Sequence, residues 1–151
     1  MLRQGDVLLM VERGDVECGE EIGLEGLGLV LALGEVTGHH HTVLSHPEGY
    51  DPTSDLPAGV RLKGSDLTLQ EWASGMVDRL QEEQRRCEDL ALGEPAARLY
   101  RGPGEDRILK VTRPTLLRHE EHPALYLDPG VYRVRVQQEY SPEHGWAMVS
   151  D

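Results

Sequence analysis

Ala124-Leu-Tyr-Leu-Asp-Pro-Gly-Val-Tyr-Arg-Val-Arg-Val136 contains the clearest secondary-structure pattern in the chain. Its second half alternates tyrosine and valine with arginine, which is the period of a strand with one buried face. Asp128-Pro129-Gly130 in its middle has the composition of a turn. We therefore predict a β-hairpin here, with one strand on each side of the turn.

Short apolar runs of the same kind occur at residues 6–11, 29–33, 98–100 and 107–111. The last two flank Gly102-Pro103-Gly104, which predicts a second hairpin. Strands and helices do not alternate regularly, so a parallel sheet is not indicated. The predicted fold is mainly β, a compact antiparallel barrel or sandwich with one inserted α-helix.

The helix is predicted in the middle of the chain. Thr68-Leu69-Gln70-Glu71 has the arrangement of a capping box, and Gly93 and Pro95 end the helical pattern. The apolar stripe of this helix consists of Leu69, Trp72, Met76, Leu80 and Cys87. This stripe is expected to pack on a sheet or against a second subunit.

The segment before the helix, residues 45–64, is rich in proline and glycine and is predicted to be irregular.

The length of 151 residues predicts a single β-rich domain over residues 1–151, with the helical insertion at about residues 65–95. Net charge is −12, which argues against nucleic-acid binding. No apolar run is long enough to cross a membrane, and the N-terminus lacks the pattern of a secretory signal, so a cytoplasmic location is expected. Cys18 and Cys87 are expected to be free thiols.

Five of the seven histidines fall into two groups, Gly38-His39-His40-His41-Thr42 and Arg118-His119-Glu120-Glu121-His122. In a strand, His39 and His41 project to one face while His40 points away. His119 and His122 are three residues apart, a spacing that suits chelation from a turn. We therefore predict one divalent transition metal, Zn, Mn, Ni or Fe, shared by both groups. The predicted ligands are His39, His41, His119 and His122.

Carboxylates near these histidines have predicted roles as well. Glu35, Glu120 and Glu121 can orient the rings, and Glu121 is also predicted to act as general base on a metal-bound water in a metal-dependent hydrolase. Four histidines would close a tetrahedral site. Three possibilities stay open: higher coordination, one histidine off the metal, or a purely structural metal. His46 and His144 are predicted to be loop residues.

Two other functions are compatible with the sequence. A metal-free phosphoesterase or ribonuclease would use histidines as acid and base, with Arg118 or Lys110 holding negative charge. A non-enzymatic interaction protein would present the acidic helical segment of residues 68–92 to a partner. The substrate, a small molecule or a phosphoester, is not determined by the sequence, and a homodimer is possible.

Several of these blocks resemble a group of small uncharacterised bacterial proteins. The resemblance rests on Gln4–Leu9, on Gly34-Glu35-Val36-Thr37-Gly38-His39-His40-His41, on His119–His122 and on Gly130–Val134. It implies that the segment with the helix is an insertion, and it implies no activity. A looser likeness is to cupins, whose barrels hold a metal with a His-x-His pair, a glutamate soon after, and a distant histidine. His39, His41 and His119 fit that pattern, but the next acidic residue is Glu48.

Overall fold

The computed structural model describes residues 1–33, 39–141 and 145–148. Within these ranges ten of the twelve strands form two antiparallel sheets, and neither of these sheets closes into a barrel. The mainly β prediction is therefore confirmed as a sandwich. In chain order the strands are β1 (Leu2–Gln4), β2 (Val7–Glu12), β3 (Glu21–Ile22), β4 (Gly28–Leu33), β5 (His40–Leu44), β6 (Ala97–Arg101), β7 (Arg107–Val111), β8 (Thr115–Arg118), β9 (Leu125–Leu127), β10 (Gly130–Val136), β11 (Gln138–Ser141) and β12 (Gly145–Met148).

The six-stranded sheet has the order β1-β2-β10-β7-β6-β3, and the four-stranded sheet has the order β4-β5-β8-β9. Among the described residues, strands β11 and β12 pair with each other and with no other strand. The core lies between the two larger sheets, because alternate residues of both sheets face inward. It is mostly aliphatic. Val7, Leu9 and Leu109 of one sheet pack there with Val43 and Leu117 of the other.

The hairpin predicted around Asp128-Pro129-Gly130 is wrong, although both of its strands exist. Strand β9 pairs with β8, whereas β10 pairs with β2 and β7 in the other sheet. The turn is thus a corner that carries the chain between sheets, and the Tyr132 hydroxyl donates to Asp128 O across it at 2.6 Å. Leu127 and Val134 enter the same core from opposite sides. The second predicted hairpin, β6 with β7, is confirmed.

The long helix α2 (Leu69–Arg86) is confirmed, and Thr68 and Glu71 form both bonds of its capping box. Its buried face consists of Leu69, Ala73, Val77 and Leu80, and it packs on the outer face of the four-stranded sheet. Of the predicted stripe, Leu69 and Leu80 are buried, whereas Trp72 is 37% exposed and Cys87 lies just after the helix and is exposed. The preceding segment holds a 3-10 turn (Pro47–Gly49) and the short helix α1 (Pro52–Asp55).

Replacing Thr68 by alanine should destabilise the protein by about 1 kcal/mol, because the hydroxyl accepts the backbone N–H of Glu71 at the helix start. Urea unfolding followed by circular dichroism measures the change. Ser74→Ala is the control, since it removes a hydroxyl from the middle of the same helix and should cost nothing. Equal losses in the two variants would contradict this role of the cap.

The fold brings three segments together at one end of the sandwich. They are the β1–β2 turn of the six-stranded sheet, the start of β5, and the end of β8, where Thr42 is paired with Arg118. The Gln4 side chain ties the sheets to each other, because its Nε2 donates to Leu117 O at 2.9 Å and to Pro123 O at 3.0 Å. Among the described residues, no helix has the length and apolar character needed to cross a membrane.

Candidate functional site

Four histidine rings from the two sequence groups lie close together at this end of the sandwich. The ring centroid of His119 is 4.3 Å from that of His41, 4.6 Å from that of His122 and 5.7 Å from that of His39. The rings of His41 and His122 are 6.0 Å apart. The two groups are distant in sequence and meet because β5 and β8 are neighbouring strands.

His41 is fully buried, and both of its ring nitrogens have protein partners. Nδ1 lies 2.9 Å from Gln4 Oε1, and Nε2 lies 2.9 Å from Asp6 Oδ1. Because the Gln4 amide nitrogen already donates to two carbonyls, its oxygen faces the ring and Nδ1 must carry a proton. A metal ion reaches a nitrogen of His41 only by displacing Gln4 or Asp6. In this arrangement His41 and Asp6 form a buried, proton-bearing pair.

His119 is buried, and its tautomer is set by the backbone. The N–H groups of Glu121 and His122 donate to Nδ1 at 2.9 and 3.3 Å. A nitrogen that accepts two hydrogen bonds holds no proton, so in the neutral ring the proton is on Nε2. The turn after β8 therefore orients this ring.

His39 and Glu121 form the more exposed part of the cluster. Nδ1 of His39 lies 3.3 Å from Glu121 Oε1, with the side chains 29% and 45% exposed. A carboxylate at one imidazole nitrogen fixes the ring orientation and makes the other nitrogen a better ligand. This is the arrangement that metal-bound histidines usually have.

Glu120 is held by its own partners. Its Oε1 accepts from Arg118 at 2.8 Å, and its Oε2 accepts from the His40 backbone N–H at 3.0 Å. Burial is the largest single effect on the pKa of this carboxyl and raises it, but the hydrogen bonds from Arg118 and from backbone N–H groups, together with the charge of Arg118, outweigh burial, so the net pKa is lowered. Glu120 is thus a carboxylate at neutral pH. Each of its oxygens keeps a lone pair that can accept a further partner.

Arg118 connects the cluster to the helical side of the sheet. It is buried, and its second guanidinium nitrogen lies 2.7 Å from Asp55 Oδ2. The Tyr50 hydroxyl donates to the same Asp55 oxygen at 2.8 Å. Burial of Tyr50, together with this bond to Asp55, raises the pKa of its hydroxyl. The carboxylates at both ends of Arg118 balance its positive charge, so Arg118 is not presented to the cluster as a free cation.

Three of these residues have ligand atoms within 4.8 Å of one another: His39, His119 and Glu120. His39 and His119 belong to the predicted ligand set, whereas Glu120 had been assigned an orienting role. His41 and His122 contribute rings to the cluster but are outside this group, and Glu121 contacts His39. Glu35 and His144 lie outside the described residues. His46, at the start of the 3-10 turn, is remote from these contacts.

Sequence reasoning did not identify Gln4 and Asp6 as site residues. Both are buried, at 3% and 0% exposure, although they stand in a turn where polar residues are expected to be solvated. The sequence feature that could have identified them is a glutamine and an aspartate on either side of Gly5, which takes a φ of +55° in the two-residue turn. Polar side chains that begin a buried strand need partners, and these find His41 and the end of β8.

The family model of a domain of unknown function, DUF8820, matches residues 52–137, more than half of the chain. The chain belongs to this family. The DUF8820 match includes α2 and the second histidine group, and it does not extend to β1–β5, where Gln4, Asp6, His39 and His41 lie.

The DUF8820 family has no assigned activity, so membership in it does not assign a reaction or a ligand to this chain. It agrees at a coarse level with the resemblance to uncharacterised proteins. No curated protein and no solved structure matches the chain. The comparisons show no link to cupins.

Proposed function

We propose that the histidine cluster binds one divalent transition metal ion through His39, His119 and Glu120. The observation that carries this proposal is the distance between their ligand atoms, all within 4.8 Å of one another. Imidazole nitrogen and carboxylate oxygen suit Zn, Mn, Ni and Fe, the metals expected from the sequence. Two histidines and one carboxylate are a familiar ligand set for such ions.

The partners of these residues support the same assignment. Glu121 stands at Nδ1 of His39, 3.3 Å away, where its carboxylate can help to orient the ring. Arg118 and the His40 N–H hold Glu120 in one orientation. His41 and His122 then lie beside the metal ligands, and the pair of His41 with Asp6 packs against His119. The predicted ligand set of four histidines is thereby replaced, in this proposal, by two histidines and a glutamate.

His119 makes a specific demand on metal binding. Its Nδ1 accepts two backbone N–H groups, so Nε2 carries the proton of the neutral ring. Coordination of the neutral ring through Nε2 would require this proton to move to Nδ1, in place of the two backbone hydrogen bonds.

Three protein ligands leave a coordination position for water. A metal ion held by His39, His119 and Glu120 would supply an acidified water that could act as a nucleophile near neutral pH. Glu121 can contact His39 through one oxygen and accept the proton of the water with the other. The proposed chemistry is therefore hydrolysis, with Glu121 as the general base predicted from the sequence.

The metal-free alternative gains no support from the geometry. Arg118, one of its two candidate cations, is neutralised by Asp55 and Glu120. Lys110, the other, is in the six-stranded sheet with its ammonium group 5.2 Å from the ring centroid of Tyr100. The interaction-protein alternative would use the exposed face of α2, where Glu82 pairs with Arg85 and Arg86. Such intrahelical pairs are the usual state of a solvated helix surface.

The test is metal stoichiometry and affinity on tag-free protein. Mass spectrometry of the purified protein and calorimetric titration with Zn²⁺ should give one ion per chain. His39→Ala and His119→Ala should each weaken binding by more than the about 10–100-fold that loss of an outer partner costs. Glu121→Gln should fall within that range. His46→Ala is the matched control and should bind like the parent protein.

Two results would overturn the proposal. They are no stoichiometric metal in the parent protein, or equal affinities in the His119→Ala and His46→Ala variants. Circular dichroism of each variant establishes that it is folded before its affinity is compared.

A further inference from the structure

A cavity of about 240 Å³ lies beside the histidine cluster, on the other side of Arg118 and Glu120. It is formed where the β3–β4 connection and β4 meet β5 and β8. Leu27 and Val30 supply apolar surface, and His40, Thr42 and Arg118 supply polar groups. This volume is below that of a typical drug-sized site, so it suits a small ligand or the end of a larger one.

Arg118, a residue that lines this cavity, has one buried donor that is unsatisfied among the described residues. Arg118 is 4% exposed, and its two terminal nitrogens contact Glu120 and Asp55. Its Nε, buried as well, has no hydrogen-bond acceptor among the described residues. An arginine nitrogen can only donate, and leaving a buried charged donor without an acceptor is costly. A ligand in this cavity that carries an acceptor oxygen can therefore supply the missing hydrogen-bond acceptor of Arg118 Nε.

The charges around the cavity determine which kind of acceptor fits. The charge of Arg118 is already balanced by Asp55 and Glu120, and Glu25 lines the same cavity. The surroundings are thus net negative, which repels carboxylate and phosphate. A neutral carbonyl oxygen can accept from Arg118 without this repulsion. An adjacent N–H group can donate to Glu25 or to the Thr42 hydroxyl.

We infer that this cavity binds the amide edge of a small neutral molecule, with its carbonyl oxygen on Arg118 Nε. Primary carboxamides, ureides and peptide groups share this edge. Binding at Arg118 does not require a metal ion. Where the proposed metal site is also correct, the amide lies next to the metal ligand Glu120, and the two sites together indicate amide hydrolysis.

The experiment is a titration followed by two-dimensional ¹H–¹⁵N NMR, in buffer with EDTA so that the outcome is independent of metal binding. Acetamide, acetate and inorganic phosphate are the three probes. Acetamide should shift the backbone resonances of His40 and Thr42 in a saturable way, whereas acetate and phosphate should not.

Arg118→Lys keeps a positive charge but removes the Nε donor, so it should weaken acetamide binding by about tenfold or more, the effect of one hydrogen bond to a charged donor. Arg113→Lys is a matched control. Arg113 is also buried, paired with Glu48, and unsatisfied at Nε, yet it does not line this cavity. It should leave acetamide binding unchanged.

Val30→Phe provides a second variant should Arg118→Lys not fold. It fills the cavity from a half-buried position and should abolish the acetamide shifts, whereas Val11→Phe, at a position 59% exposed, should not. The inference is overturned by the absence of saturable acetamide shifts, by stronger binding of acetate or phosphate, or by equal effects of the paired variants. None of these results bears on whether the metal site exists.

Discussion

Replacing Asp6 by alanine should lower the free energy of unfolding by about 3–5 kcal/mol, the usual cost of removing one member of a buried ion pair. Asp6 and His41 are both fully buried, with Oδ1 and Nε2 2.9 Å apart. The alanine variant leaves the proton-bearing His41 ring in the core without its carboxylate. Chemical denaturation followed by circular dichroism measures the change.

Glu21→Ala is the matched control for Asp6→Ala. Glu21 pairs with Arg98 at a similar distance, 2.8 Å, but the two side chains are 47% and 45% exposed. Water and salt screen an exposed pair, so the expected loss is below about 1 kcal/mol. Similar losses for the two variants would show that burial of the His41 pair contributes nothing to stability.

Replacing Gly28 by alanine should destabilise the protein by about 3 kcal/mol, the upper part of the range for overpacked sites. Gly28 begins β4 opposite Leu44. A Cβ on Gly28 would overlap the carbonyl oxygen of Val43 and lie 2.7 Å from the backbone nitrogen of Ser45. Backbone atoms cannot rotate away, so the β4–β5 pairing must move. Thermal and urea unfolding both measure the effect.

Gly23→Ala provides the control for Gly28→Ala. A Cβ at Gly23 meets no atom within 4 Å, and the residue is exposed. The variant should unfold within about 0.5 kcal/mol of the parent protein. A Gly28→Ala protein as stable as Gly23→Ala would mean that β4 and β5 do not pair as closely as described.

The sequence predicted the fold class and the helix, but not which strands pair. Asp128-Pro129-Gly130 has turn chemistry in either case, because a hairpin and a corner between sheets need similar backbone angles. The partners of β10 are β2 and β7, which are distant in sequence from its turn. Local patterns contain no information on such long-range pairing.

The helix shows a related limit of pattern reading. The near-helical spacing of the apolar residues placed Trp72 in the predicted stripe, whereas the structure buries Ala73. A small residue at the contact lets the helix approach the sheet closely. Trp72 instead packs at the edge of the contact, where its indole Nε1 donates to Ala124 O at 2.9 Å.

For the site, sequence reasoning expected two histidine groups to meet, and the described geometry has them adjacent. Alternation along β5 and the position of both groups at strand ends were sufficient for that expectation. The exact donor set depends on hydrogen bonds that no pattern reveals. His41 is occupied by Gln4 and Asp6, which come from the other sheet, and the tautomer of His119 depends on the turn that follows β8.

X-ray absorption spectroscopy of the zinc-loaded, tag-free protein tests the metal proposal most directly, because it reports which atoms bind the ion. We expect two imidazole nitrogens and one or two oxygens at about 2.0–2.2 Å, with one imidazole lost in His119→Ala. A spectrum with no imidazole scattering, or one unchanged by His119→Ala, would contradict metal binding at this cluster.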